Sequence, residues 1–350
     1  MYEKASGQKI NLDKSSIHFS RYTAQNHQKE IRAMFAEMQD AHPRKYLGLP
    51  TLIGRSKIVV FKEIKERVMW KISGWKEKLL SYGGREVLIN SVAQVIPTYV
   101  MSCFLLPKVL CHEMEGLIRK FWWGQRYDEH KMAWVGWKSL CLISKSKGGM
   151  GFRNLHSFNL AMLAKQGWRL SQNQNSMAYR VYESKYFPTG NLLQAPVGHN
   201  PSYAWRSIWN ALEVIRQGSR WRVGNGIRIN IWEDRWLPTL STFKVRTPRI
   251  DINDTPQVSS LIDQDSGNWR VEKLNQFFLP MDLTAIMSIP LGNLQMEDTR
   301  VWIGNSTGIF TVKSAYCIAQ NILEPNHPEE SSVGDPYQPL WKKNLAHENP

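Results

Sequence analysis

The sequence is short of the residues that build metal and redox sites. Four cysteines occur in 350 residues (Cys103, Cys111, Cys141 and Cys317), and none forms a C-x-x-C pair. This spacing offers no zinc site and no disulfide framework, so no metal site is expected and the expected state is reduced and intracellular, in the nucleus or cytoplasm. No two aspartates are adjacent anywhere in the chain. The nine histidines are scattered, which suits core or surface roles. Long hydrophobic runs are also missing. The most apolar stretch, 87–106, is interrupted by Asn90, Gln94 and Pro97, which fits a buried helix and excludes a membrane span. The first thirty residues are polar and charged, with no secretory signal.

What is present is apolar, aromatic and basic. Hydrophobic residues make up 42% of the chain and aromatics 11%, enough for a globular protein of two or three domains. Fifteen tryptophans suit both a core and a base-stacking surface. The net charge is +15, and all of the excess sits in one half. Residues 1–175 carry 28 Lys/Arg against 13 Asp/Glu, while 176–350 carry 17 of each. A basic half beside a neutral half points to a polyanionic partner for the first.

Periodicity predicts a mainly α protein with small β elements. A strand carrying Ile10, Leu12, Ile17 and Phe19, a helix over 27–40 and a short strand over 46–49 make a strand–helix–strand unit. Ser56 opens a helix whose apolar face is Phe61, Ile64, Val68 and Ile72, with a break expected at Ser73-Gly74. Tyr82-Gly83-Gly84 reads as a loop. A second helix from Arg85 would bury Val87, Leu88, Val92, Val95, Ile96, Tyr99 and Val100, with a kink at Pro97. A third helix over 110–121 ends at Trp122-Trp123-Gly124, and Phe121, Trp122 and Trp123 read as core. A turn at 148–151 precedes an amphipathic helix over 155–170, and 171–215 is mostly helical. Asn225-Gly226, between alternating apolar runs, predicts a hairpin over 221–229. Residues 239–300 look like a loose linker with short helices. A second hairpin is expected over 299–312, and a disordered tail from 324.

The densest basic cluster lies on and after the first of these helices. Lys57, Lys62, Lys65, Arg67, Lys71, Lys76, Lys78 and Arg85 fall within 29 positions. Positive side chains on a rigid face are what phosphate contacts require, and such contacts carry no sequence information.

Several short motifs add a resemblance. They are Tyr2-Glu3-Lys4-Ala5-Ser6-Gly7-Gln8-Lys9-Ile10-Asn11, Lys45-Tyr46-Leu47-Gly48-Leu49-Pro50, Gly83-Gly84-Arg85-Glu86-Val87-Leu88-Ile89-Asn90 and Gly148-Gly149-Met150-Gly151-Phe152. In this order and spacing the chain, from about residue 2 to 343, resembles the reverse transcriptases of plant non-LTR (LINE-type) retroelements. The resemblance implies a palm remnant over 1–55, a helical thumb over 56–124, a connecting region over 125–240, and a linker with the start of a zinc-binding region over 241–350. In that family the first motif follows a Phe/Tyr-Ala-Asp-Asp turn whose aspartates hold magnesium for RNA-directed DNA synthesis. No such pair occurs here, and Glu233-Asp234 reads as a solvated turn. The chain is therefore expected to have no catalytic residues, no cofactor of its own and no polymerase activity alone. Zinc ligands are likewise not expected. The segment 302–319, followed by Leu340-Trp341-Lys342-Lys343, resembles only the start of the zinc-binding region, and no RNase H module is visible.

The resemblance assigns the eight basic residues to a thumb that grips a template–primer. The expected partners are RNA, DNA or an RNA–DNA hybrid held through phosphates, with the missing polymerase part as a further candidate and no membrane. Two other readings stay open. The chain could be a non-functional retroelement relic that folds poorly, or a protein-interaction module built on 176–350.

Overall fold

The computed structural model describes residues 7, 11, 15–17, 19, 22–35, 39–40, 45–46, 48–50, 53–76, 80–124, 132, 134–142, 149–188, 190–238, 242–249 and 256–324. The chain is mainly α-helical with small β elements, and it divides into two compact units. One is drawn from Met1–Val100 and Leu106–Phe152, the other from Met101–Leu105 and Arg153–Pro350.

The first unit begins with small β pairs. Strand β1 (Ser16–Ile17) pairs in parallel with β2 (Gln39–Asp40), and helix α1 (Gln25–Met34) connects them. The helix expected over 27–40 stops at Met34, and residues 39–40 belong to β2 instead. β3 (Lys45–Tyr46) and β4 (Leu49–Pro50) form a tight antiparallel pair, with Gly48 at φ +77° in the turn.

Helix α2 (Lys57–Lys76) is the long element of this unit. Phe61, Ile64, Val68 and Ile72, at steps of three, four and four, are all buried. The helix packs against α5 (Lys108–Trp123), whose Leu110, Cys111, Met114, Ile118 and Phe121 are buried. The break expected at Ser73-Gly74 does not occur; α2 runs through to Lys76. Tyr82-Gly83-Gly84 is also helical. It forms the first turn of α3 (Tyr82–Leu88), where the Ser81 hydroxyl accepts from the Gly84 amide at 3.2 Å.

A π-helical turn over Ile89–Ala93 follows α3. One extra residue in the turn rotates every later side chain. Beyond it Val95 and Tyr99 are exposed while Val100 is buried as expected; before it Val87 is exposed, and Ile89, Ala93 and Met101 are buried. The buried face read from the sequence is corrected accordingly. Turn residues 94–97 lead into α4 (Thr98–Met101), which accommodates Pro97. After α6 (Trp137–Leu142), Phe152 stacks on Trp137 with centroids 5.3 Å apart and meets Trp122 edge-on at 5.1 Å. Phe121 and Trp122 are thus core residues.

The second unit is built on α7 (Leu155–Gln172), α9 (Tyr203–Gly218) and α12 (Val312–Leu323), which pack on one another. Gly167 lets α7 and α9 approach closely; a Cβ there would lie 2.8 Å from Ile215 Cδ1. Helix α8 (Met177–Tyr186) supplies Tyr186, whose ring stacks on buried Trp205 at 4.7 Å. Strand β5 (Ser219–Arg222) pairs antiparallel with β6 (Thr299–Trp302), in the register Ser219↔Trp302 through Arg222↔Thr299.

This pairing corrects two expectations. Residues 221–229 are not a hairpin, because β5 finds its partner some eighty positions later. Residues 299–312 hold one strand and a turn that leads into α12, with the Trp302 amide donating to Gly308 O at 3.1 Å. The expected linker is corrected too. Between 256 and 300, helices α10 (Val271–Phe277) and α11 (Pro280–Met287) help close a second core. That core contains Ile229, Ile231, Trp236, Leu237, Val258, Leu261, Ile262, Leu274 and Ile286. The expected tail from 324 lies, except for Glu324, outside the described residues.

Candidate nucleic-acid interface

Burial of the apolar stripe of α2 leaves its basic side chains at the rim and on the outer face. Lys62 is exposed and lies 3.1 Å from Glu66, one turn along. Lys65 is partly exposed, and its Nζ donates to Glu113 Oε2 of α5 at 2.8 Å. Lys57 donates to the carbonyl of Gly54 at the start of the helix. Ion pairs at such exposed sites contribute little to stability.

Arg67 and Lys71 differ from these. Both are exposed, and among the described residues neither is placed in an ion pair. Lys71 Nζ sits 4.9 Å from the centroid of the Trp70 ring, and Trp70 is itself 70% exposed. A solvent-facing indole beside two cations is a surface on which a base could stack while phosphates meet the charges. The sequence reading does not single out Trp70. A signal for it exists, since position 70 falls off the 61, 64, 68, 72 stripe.

Among the remaining predicted residues, Arg85 does not join this face. Arg85 is only 5% exposed. Its Nη1 donates to the carbonyl of Trp122 at 2.7 Å, and its guanidinium lies 4.2 Å from the Tyr82 ring. Arg85 is a packing and positioning residue at the α3–α5 contact, out of reach of a duplex. The Lys76 side chain and Lys78 lie outside the described residues.

Glu233 and Asp234 do not form a magnesium pair. Asp234 Oδ2 accepts from the amide of Asn230 at 2.8 Å, and Oδ1 faces Arg300 at 3.7 Å. Glu233 uses its own amide to donate to Asn230 Oδ1 at 3.0 Å. Asp234 is therefore committed to its turn and to Arg300, and the residues do not fit a two-metal site. Burial lowers the Arg300 guanidinium to about 10, and Asp234 opposes that shift. Among the described residues no group of three or more His, Cys, Asp or Glu is placed to hold a metal ion, and no helix is long and apolar enough to cross a membrane.

No family model matches the chain. Two proteins of Arabidopsis thaliana are similar to it. Over 142 residues the chain is 40% identical to the "Uncharacterized mitochondrial protein AtMg00310", covering 41% of the chain and 92% of that protein. Over 300 residues it is 28% identical to the "Putative ribonuclease H protein At1g65750", covering 84% of the chain. The match spans 47% of that second protein, so the chain corresponds to about half of its length.

Proposed function

We propose, for a chain that belongs to the same family as the uncharacterized mitochondrial protein AtMg00310 of Arabidopsis thaliana, a retroelement origin and a residual role in sequence-independent nucleic-acid binding. The parent activity in this reading is RNA-directed DNA synthesis by a LINE-type reverse transcriptase. The similarity to a protein named for ribonuclease H supports a retroelement origin, since that chemistry acts on RNA–DNA hybrids. The palm, thumb and zinc-binding divisions belong to the same proposal. So does the absence of polymerase activity in this chain alone.

The observation that carries the binding role is the outer face of α2. Arg67 and Lys71 are exposed without carboxylate partners among the described residues, beside an exposed Trp70, with Lys62 and Lys65 flanking them. The face is held rigid from behind by the α2–α5 core. Fixed positive charge on a rigid helix exchanges condensed counterions for its own contacts, and this supplies affinity for any duplex. The partner is RNA, DNA or an RNA–DNA hybrid.

The test is binding of the full chain to a short RNA–DNA hybrid at several salt concentrations. A steep fall of affinity with salt, equivalent to about four to eight phosphates, supports the reading. No binding at low salt overturns it. The buried cores of both units argue against a relic that does not fold. A single cooperative thermal transition for each unit is the matching result.

A further inference from the structure

We infer that the second unit carries its own nucleotide-phosphate site, centred on Arg220 and Arg222 of β5 and distinct from the α2 face. Alternate residues of a strand share a face, roughly 6.7 Å apart. Arg220 pairs with Val301 and Arg222 with Thr299, so both guanidinium stems project to the same side of the two-stranded ribbon. Trp221 and Arg300 occupy the opposite side, where the Arg300 guanidinium lies 4.2 Å from the Trp221 ring.

Two depressions adjoin on the Arg220/Arg222 side. The larger, of about 730 Å³, is walled by Pro238, Ile289, Pro290 and Leu291. The smaller, of about 400 Å³, is lined by Phe243 and the polar turn 305–308. Both arginines line both depressions. The larger volume is that of an ordinary small-molecule site and accommodates a nucleotide.

Among the described residues, neither Arg220 nor Arg222 has a carboxylate partner. The carboxylate lining the larger depression belongs to Glu297, which is paired with Arg228 at 3.1 Å. Arg220 is half-buried, and desolvation lowers its guanidinium from the ordinary value. A half-buried cation without a counter-charge is stabilised by an arriving anion. Guanidinium forks match phosphate oxygens in pairs. Two of them at strand spacing match successive phosphates of an extended strand, with an apolar wall alongside for a base. The ligand is thus a nucleotide phosphate, presented by a single strand or by a free nucleotide.

This site does not rest on the α2 reading, and the two fail separately. The test uses the full chain and a labelled single-stranded octanucleotide with a 5′-phosphate. Arg220→Gln/Arg222→Gln is expected to weaken binding at least tenfold and to flatten the logarithmic salt slope by about 1.4, the value for two single-strand phosphates. Arg220→Lys/Arg222→Lys keeps the charge but not the fork, so it should restore the salt slope and only part of the affinity, and Arg180→Gln should change nothing. Competition by a nucleoside monophosphate assigns the site to free nucleotides; failure to compete assigns it to strands. Photo-crosslinking of a bromouridine-substituted strand provides a readout that needs no variant, with adducts expected within the β5 peptide. Wild-type affinity and slope in the Gln double variant, or adducts confined to α2, would overturn the inference.

Discussion

The amide of Gly224 donates to the buried carboxylate of Asp298 at 2.7 Å, across 74 positions of sequence. The same oxygen accepts from Gly226 at 2.9 Å, and the other oxygen accepts from Arg228 at 2.9 Å. One side chain therefore satisfies three amides of the loop after β5 and ties it to the start of β6. Glycine is required on the loop side. A Cβ on Gly224 would lie 2.4 Å from Met296 O, and Gly226 sits at φ +72° against Ser259.

Asp298→Ala strands these amides in a buried place, and hydrogen bonds to charged groups are each worth about 1.5–3 kcal/mol. We expect a loss of about 3 kcal/mol or more in the second unit, measured by denaturant unfolding. Asp298→Asn keeps one acceptor and should cost less. Equal stability for wild type and Asp298→Ala contradicts this account of the loop.

Two glycine substitutions should move stability in opposite directions. Gly74 lies within α2, and a Cβ there meets nothing within 4 Å. Gly74→Ala should stabilise the first unit by about 0.5–1 kcal/mol through helix propensity. At Gly218 a Cβ would lie 2.2 Å from Trp302 Cη2 and 2.8 Å from Ile318 Cδ1. Gly218→Ala should cost about 1–3 kcal/mol by overpacking. Thermal melts of the two variants check both signs.

The thiols should separate by exposure and by pH. Cys317 is exposed and Cys103 intermediate, while Cys111 and Cys141 are buried. A thiol reagent near neutral pH should label Cys317 first, Cys103 more slowly, and the other two only on unfolding. Burial, with the nearby Glu115 carboxylate, raises the Cys111 thiol from 9.0 to about 12. Below pH 9 both the folded and unfolded states keep this proton, so it contributes no pH dependence. Between 9 and 12 the unfolded state releases it and the folded state does not, so stability falls as pH rises. The limiting slope is about 1.4 kcal/mol per pH unit. Cys111→Ala should remove that component; an unchanged slope contradicts the assignment.

Legibility of the fold followed the range of the interactions. The buried stripe of α2 and the helices α5 and α7 were readable because i, i+3 and i+4 spacing is local. The exposure of Val95 and Tyr99 was not, since the π turn over Ile89–Ala93 shifts the register of the residues after it without a composition signal. Asn225-Gly226 looked like a hairpin turn, but Gly226 serves a close approach to Ser259, and the partner of β5 lies far along the chain. The core of 256–300 hid among polar residues, because its anchors Val258, Leu261, Trp269, Leu274 and Ile286 follow no single period.

The basic cluster was legible as a cluster, but not as a surface. Charge count alone could not separate exposed Lys62, Arg67 and Lys71 from Arg85, whose guanidinium lies against Trp122 O and Tyr82. Arg220 and Arg222 went unnoticed because their shared face exists only once β5 has paired with β6.

The most direct measurement compares wild type with Arg67→Gln/Lys71→Gln for binding to a short RNA–DNA hybrid across a salt series. The account predicts weaker binding by the variant at every salt concentration, a logarithmic salt slope reduced by about 1 to 2, and an unchanged melting temperature. Identical affinity and slope in the two proteins would contradict it, and would place any nucleic-acid binding away from α2.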